Sequence, residues 1–168
     1  TKIFLLIGLT FSLIVGGYLF YIAKTTNVAD LQNALKATTI IYDKDGNQAG
    51  SLTGQKGTYV ELDAISENLQ NAVVATEDRS FYKNSGINYG RFFLAILTAG
   101  RSGGGSTITQ QLAKNAYLSQ DQTVERKAKE FFLALEINKK YSKKEILTMY
   151  LNNAYFGNGV WGIEDASK

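Results

Sequence analysis

Gly103-Gly104-Gly105-Ser106-Thr107-Ile108-Thr109-Gln110-Gln111-Leu112-Ala113-Lys114-Asn115 is a glycine run that passes directly into a helical pattern. Glycine lets a backbone take φ > 0 and approach a ligand closely. Ser106 is the N-cap candidate, and Ile108 and Leu112, four apart, mark one face of a short helix. Thr109, Gln110, Gln111, Lys114 and Asn115 form its polar surface. A helix start offers unpaired N–H groups and a positive dipole end, which suit phosphate, and Lys114 adds a full charge. The stretch therefore predicts a phosphate or pyrophosphate cradle. A flexible loop before an ordinary amphipathic helix would carry the same spacing. A nucleotide-binding P-loop does not fit: Gly100 and Gly105 have the right separation, but Ser106 follows directly with no intervening Lys.

The wider composition narrows the chemistry. Among 168 residues there is no Cys and no His. Disulfides, thiol nucleophiles, Ser-His-Asp triads and His-ligated zinc are excluded, so acid–base work falls to Asp, Glu, Lys or Tyr. A net charge of +3 is too small to argue for nucleic acid.

Upstream, residues 3–23 carry no charge and match the ~20 residues a helix needs to cross a bilayer. That length favours a retained signal anchor over a cleaved signal peptide. Tyr18, Phe20 and Tyr21 fit an interfacial aromatic belt, while Lys2 and Lys24 flank the span evenly and leave its orientation open. Residues 24–62 read as a linker with a short β-hairpin. Thr38–Tyr42 and Gln48–Leu52 are its strands, joined through Asp45-Gly46, and a polar connector, Asn27–Lys36, precedes them. Residues 63–168 read as the main domain. Asp63–Thr76 predicts a helix with Ile65, Leu69, Ala72, Val73 and Thr76 on its buried face. It leads into Glu77-Asp78-Arg79, a carboxylate pair beside Arg and aromatics, suited either to acid–base work or to a solvated helix end. Phe92–Leu97 is apolar, as a core helix or a bilayer-facing patch would be.

Downstream, Asp121 or Thr123 caps a helix with an apolar stripe at Val124, Ala128, Phe131 and Leu135. Arg126, Lys127 and Glu130 then fall on the opposite, outer surface, as solvated ion pairs or as a carboxylate in a cationic field. Ser142 and Glu145 form a capping box for the next helix. A polar, glycine-rich close follows at 152–159, and Trp161-Gly162-Ile163 begins a last helix.

Five motifs stand in one order: Glu77-Asp78-Arg79-Ser80-Phe81, Gly104 to Gln111, Arg126-Lys127-Ala128-Lys129-Glu130, Lys143 to Asn152, and Tyr155-Phe156-Gly157-Asn158-Gly159. Together they closely resemble the peptidoglycan glycosyltransferases of glycosyltransferase family 51, over about residues 38–168. These occur as monofunctional enzymes and as the N-terminal module of class A penicillin-binding proteins. The resemblance implies a mostly α fold. It has a lysozyme-like lobe and a small membrane-proximal jaw, and a single-pass anchor holds it on the outer face of the cytoplasmic membrane. It implies polymerisation of lipid II with inversion at the anomeric carbon, the growing chain leaving its lipid pyrophosphate for the GlcNAc 4-hydroxyl of lipid II.

Carried onto this sequence, Glu77 is the general base, supported by Asp78. Lys114, Arg126 and Lys127 hold the pyrophosphate, with Ser106, Thr107, Gln110 and Gln111; Asn115 and Asn152 support the site. Glu130 acts catalytically in one of three ways: by orienting the cations, by stabilising charge at the donor carbon, or by binding a divalent ion such as Mg or Mn. Phe92–Leu97 is the membrane-apposed surface and Gly100–Gly105 a mobile flap. The implied partners are lipid II, the nascent glycan, membrane lipids, moenomycin-type inhibitors and other cell-wall synthesis proteins, with no nucleic acid.

Asn84 stands where the family usually has His, which questions a structural hydrogen bond there. Thr148 stands where Glu is common. The family's catalytic domain continues past Lys168, in the stretch that opens on the last motif, so a longer parent domain is expected. Two other functions compete: an inert membrane-anchored interaction module, and a lytic enzyme of lysozyme-like fold. The second would have no use for a pyrophosphate clamp.

Overall fold

The computed structural model describes residues 2–25, 38–53, 57–97, 105–118 and 123–168. The connector at 27–36, Asp121 and the flap glycines 100–104 lie outside them. The chain is mostly helical. α1 (Lys2–Thr25) contains a span, Leu6–Thr25, with mean hydropathy 1.9, long and apolar enough to cross a membrane. From Leu6 on, its large side chains are exposed except near its end, where Ile22 is buried and α1 meets α5. β1 (Thr38–Tyr42) and β2 (Gln48–Thr53) pair antiparallel, with Thr38 opposite Thr53.

The lobe begins with a 3₁₀ turn at Leu62–Ala64. α2 (Glu67–Glu77) follows, capped by Ser66, whose hydroxyl accepts from the Leu69 N–H. The helix expected from Asp63 is thus two pieces. Its buried positions also differ: Ile65 and Val74 are buried, whereas Ala72 and Thr76 are exposed. α3 (Tyr89–Leu97), α4 (Ile108–Tyr117), α5 (Val124–Lys140) and α6 (Lys143–Asn153) complete the lobe, followed by a hairpin of β3 (Tyr155–Gly157) and β4 (Val160–Trp161) and a short α7 (Ile163–Ala166). The last helix starts at Ile163; Trp161, expected inside it, belongs to β4.

α6 is the central post. Its start is the predicted capping box: the Ser142 hydroxyl accepts from the Glu145 N–H, and the Glu145 carboxylate accepts from the Ser142 N–H. Ile146 through Asn152 are all buried, as befits a helix surrounded on every side. α4 packs against both α5 and α6. Ile108, Leu112, Leu133, Ile137, Leu147 and Leu151 fill the core between them. Each such side chain contributes about 1.5–3 kcal/mol relative to exposure.

Asn152 ties the entering chain to this post. Its amide donates to the Val60 carbonyl at 2.8 Å, and its Oδ1 accepts from the Val60 N–H at 2.8 Å. These bonds serve the fold. Thr148 turns its hydroxyl back onto the Lys144 carbonyl at 2.8 Å and lines a separate cleft beside Ile65 and Gln70.

Candidate active site

Glu77 is the last residue of α2, and the next residue explains its placement. Asp78 is 2% exposed and points inward. Its carboxylate accepts from the Ser80 hydroxyl (2.9 Å), the Asn84 amide (2.9 Å) and the Ile108 N–H (3.3 Å). These bonds fasten the end of α2 to the start of α4. The following loop closes on α5 at Gly86, where φ is 93° and a Cβ would lie 2.6 Å from the Ala134 carbonyl oxygen. Only glycine fits there. The Thr107 hydroxyl donates to the Gly86 carbonyl at 2.6 Å. The hydrogen bonding questioned by Asn84 is present: its amide serves Asp78, and its Oδ1 accepts from the Gly86 N–H and from Lys143 Nζ. Burial pushes the Lys143 ammonium pKa down, with the Asp78 charge opposing.

Asn84→Ala leaves a buried carboxylate short of its amide donor. We expect about 2 kcal/mol of destabilisation, read as a lower thermal midpoint of the detergent-solubilised protein. An unchanged midpoint would deny this network its structural role.

With Asp78 turned inward, Glu77 faces an open cleft of about 330 Å³ lined by Thr76, Tyr150, Leu151, Tyr155 and Phe156, among others. Gln111 Nε2 donates to Glu77 Oε2 at 2.8 Å, and the Tyr150 hydroxyl donates to Gln111 Oε1 at 3.1 Å. Burial, and then the nearby Glu77 charge, push the Tyr150 pKa up to about 12. The phenol is therefore protonated at neutral pH. Among the described residues, Glu77 Oε1 has no hydrogen-bond partner.

A second cluster lies on α5. Glu130 is 1% exposed, on the same buried face as Leu133, Ala134 and Ile137. One carboxylate oxygen meets Arg126 Nη1 at 3.3 Å; the other pairs with Lys127 Nζ. Lys127 also donates to the Ser106 hydroxyl at 2.8 Å, which joins α5 to the start of the α4 segment. Among the described residues, Arg126 Nε is buried without a partner and Lys114 has no ion pair. Lys114, Gln111 and Asn115 occupy the half-exposed face of α4. Two cations against the one Glu130 carboxylate leave a positive charge unbalanced, and Lys114 on α4 carries a further one, charges suited to an anion.

Several expected placements are corrected. The cap of α4 is Thr107, not Ser106, in a capping box with Gln110. Thr107 and Gln110 are buried and bonded to each other, and Asp78 takes the Ile108 N–H. The protein's own Asp78 carboxylate thus takes one N–H of this helix start. Ser106 remains beside Lys127. The α5 stripe is also reversed: Val124 is 88% exposed, whereas Glu130 lies on the core face. Phe131 packs instead on Phe92 of α3, with ring centroids 5.1 Å apart.

Glu130 makes a poor metal ligand in this setting. Both its oxygens are held by cations, and no group of three or more acidic residues gathers among the described residues.

Two features escaped the sequence reading. Tyr150 lies in a run of apolar helix residues, and nothing in that run marks its hydroxyl. The β3–β4 hairpin brings Tyr155 and Phe156 to the cleft. Its signal was the Asn158-Gly159 pair, both with positive φ (51° and 81°), as a two-residue hairpin turn requires.

Residues 45–168 match the protein family described as Transglycosylase. The chain is 80% identical over 168 residues to penicillin-binding protein 2a of Streptococcus pneumoniae, covering 100% of the chain and 23% of that protein. It is 40% identical over 172 residues to penicillin-binding protein 1A of Aquifex aeolicus, covering 97% of the chain and 24% of that protein. Against penicillin-binding protein 1F of Bacillus subtilis it is 43% identical over 137 residues, with 79% and 19% covered. The chain thus spans about a quarter or less of the length of these relatives.

Proposed function

Since this chain belongs to the transglycosylase family, we propose that it is the peptidoglycan glycosyltransferase module of a penicillin-binding protein and polymerises lipid II. The observation that carries this reading is the family match over residues 45–168, which takes in Glu77, Lys114, Arg126, Lys127 and Glu130 together. Glu77, fixed at one oxygen and open to the cleft at the other, suits a general base for the GlcNAc 4-hydroxyl of the acceptor. Inversion in one displacement then needs charge held on the leaving side. Lys114, Arg126 and Lys127, with Ser106, supply it for the departing pyrophosphate. Glu130 orients Arg126 and Lys127. With both oxygens on cations, Glu130 is occupied in that role and has no oxygen left for a divalent ion such as Mg or Mn.

In this reading α1 anchors the lysozyme-like lobe to the cytoplasmic membrane with the lobe outside. α3 and the N-terminal part of α5 form the membrane-proximal jaw, where lipid-linked substrates and the nascent glycan enter. Other cell-wall synthesis proteins are the expected partners. The unbalanced positive charge favours glycosyl transfer from a pyrophosphate over lytic cleavage of an uncharged glycan.

The test is lipid II polymerisation by the full-length parent in detergent, with glycan length read on a gel, with and without moenomycin. Long strands that vanish with the inhibitor are expected; no polymer from a folded parent would overturn the reading. Lys114→Ala should weaken binding of pyrophosphate-bearing lipid by about 10- to 100-fold and hardly affect lipid-free glycan. Equal weakening of both would deny the clamp.

A further inference from the structure

The direction of the Tyr150–Gln111–Glu77 chain follows from what each group can donate. An ionised carboxylate only accepts hydrogen bonds, so Gln111 must turn its NH₂ toward Glu77 Oε2. The amide oxygen then faces Tyr150, whose hydroxyl must be the donor. A Gln side chain has nearly the same shape after a half-turn of its amide. The carboxylate alone disfavours that turn, and the phenol fixes the far end of the amide as well, so that losing it frees the amide to rock away from Oε2. Tyr150 is buried on α6, the most enclosed helix of the lobe, so its hydroxyl is a fixed post.

We propose that Tyr150 and Gln111 are positioning residues that occupy Glu77 Oε2, leaving Oε1 as the one atom that takes the acceptor proton. The proposal rests on the reading of Glu77 as the base. In the step, the acceptor O–H bond breaks and its proton goes to Oε1. The acceptor oxygen bonds to the anomeric carbon, whose bond to the pyrophosphate oxygen breaks with the electron pair leaving on the phosphate. Gln111 continues to donate to Oε2 throughout. Tyr150 has no part in carrying the proton onward, because its hydroxyl donates to Gln111 Oε1 and the intervening amide passes no proton between Oε2 and the phenol. The captured proton leaves from Oε1 to the open cleft.

The experiment uses the full-length protein and lipid II. Tyr150→Phe removes one oxygen and keeps the ring. We expect kcat to fall about 10-fold with KM little changed. The acid limb of the kcat/KM profile should move to higher pH, because the ionised carboxylate loses an oriented donor. Gln111→Leu should move the limb the same way. In a Gln111→Leu background, adding Tyr150→Phe should cost nothing further, since the two act as one unit. A Tyr150→Phe enzyme with wild-type kcat and an unmoved profile would overturn the proposal. So would a lowered thermal midpoint with no change in profile, or the same fold-loss in both backgrounds. If the wild-type enzyme polymerises while Glu77→Gln does also, the base assignment fails first and this proposal with it.

Discussion

Glu77→Gln should leave the lobe folded and reduce lipid II polymerisation by about 10³-fold, within the range general bases contribute. The substitution is nearly isosteric. Its amide oxygen can still accept from Gln111 Nε2, so the link between α2 and α4 survives. Asp78, which carries the structural bonds at this corner, is untouched. What is lost is the capacity to take a proton at the cleft-facing atom. Asp78 cannot substitute, because it is buried and each oxygen already accepts hydrogen bonds. The measurements are glycan chain length on gels, the thermal midpoint, and binding of a lipid-linked pyrophosphate. Activity above a tenth of wild type would remove Glu77 from the role of base.

Much of this architecture could be read before any coordinates. The apolar span, the β1–β2 pair and the Ser142–Glu145 capping box follow from local chemistry, and each appears within a few residues of its expected bounds. Local chemistry failed where a side chain's partner is distant in sequence. Ser106 and Thr107 are both good caps; Thr107 is chosen because its hydroxyl also reaches the Gly86 carbonyl, twenty-one residues away. Ala72 and Thr76 fit a core stripe by spacing, yet they line the cleft beside Glu77. The α5 error has the same origin. A hydrophobic pattern assigns a carboxylate to the outside, so Glu130 pushed the expected core face to the wrong side of the helix. Such failures gather around the site because function there places polar groups where folding alone would not.

Glu130 makes the second large prediction. Glu130→Gln should lower turnover by about 100-fold, a loss of about 2.7 kcal/mol in transition-state stabilisation, while donor affinity holds or rises. Removing the carboxylate leaves Arg126 and Lys127 without their counter-charge, so the positive field at the pyrophosphate grows. Ground-state binding of a dianion therefore has no electrostatic reason to weaken. What disappears is the fixed aim of Arg126 and Lys127, and only aim that matches the charge developing on the leaving group accelerates the reaction. Glu130→Ala adds a structural cost. Two cations lose their partner, Arg126 14% and Lys127 42% exposed at the side chain. Solvent screens Lys127, so the cost falls below that of a fully buried pair, at roughly 2–3 kcal/mol. Kinetics on lipid II, with binding of the lipid-linked donor measured separately, distinguish the two effects. If donor affinity and turnover fall in equal proportion, Glu130 serves binding alone, and its role in aiming the cations is wrong.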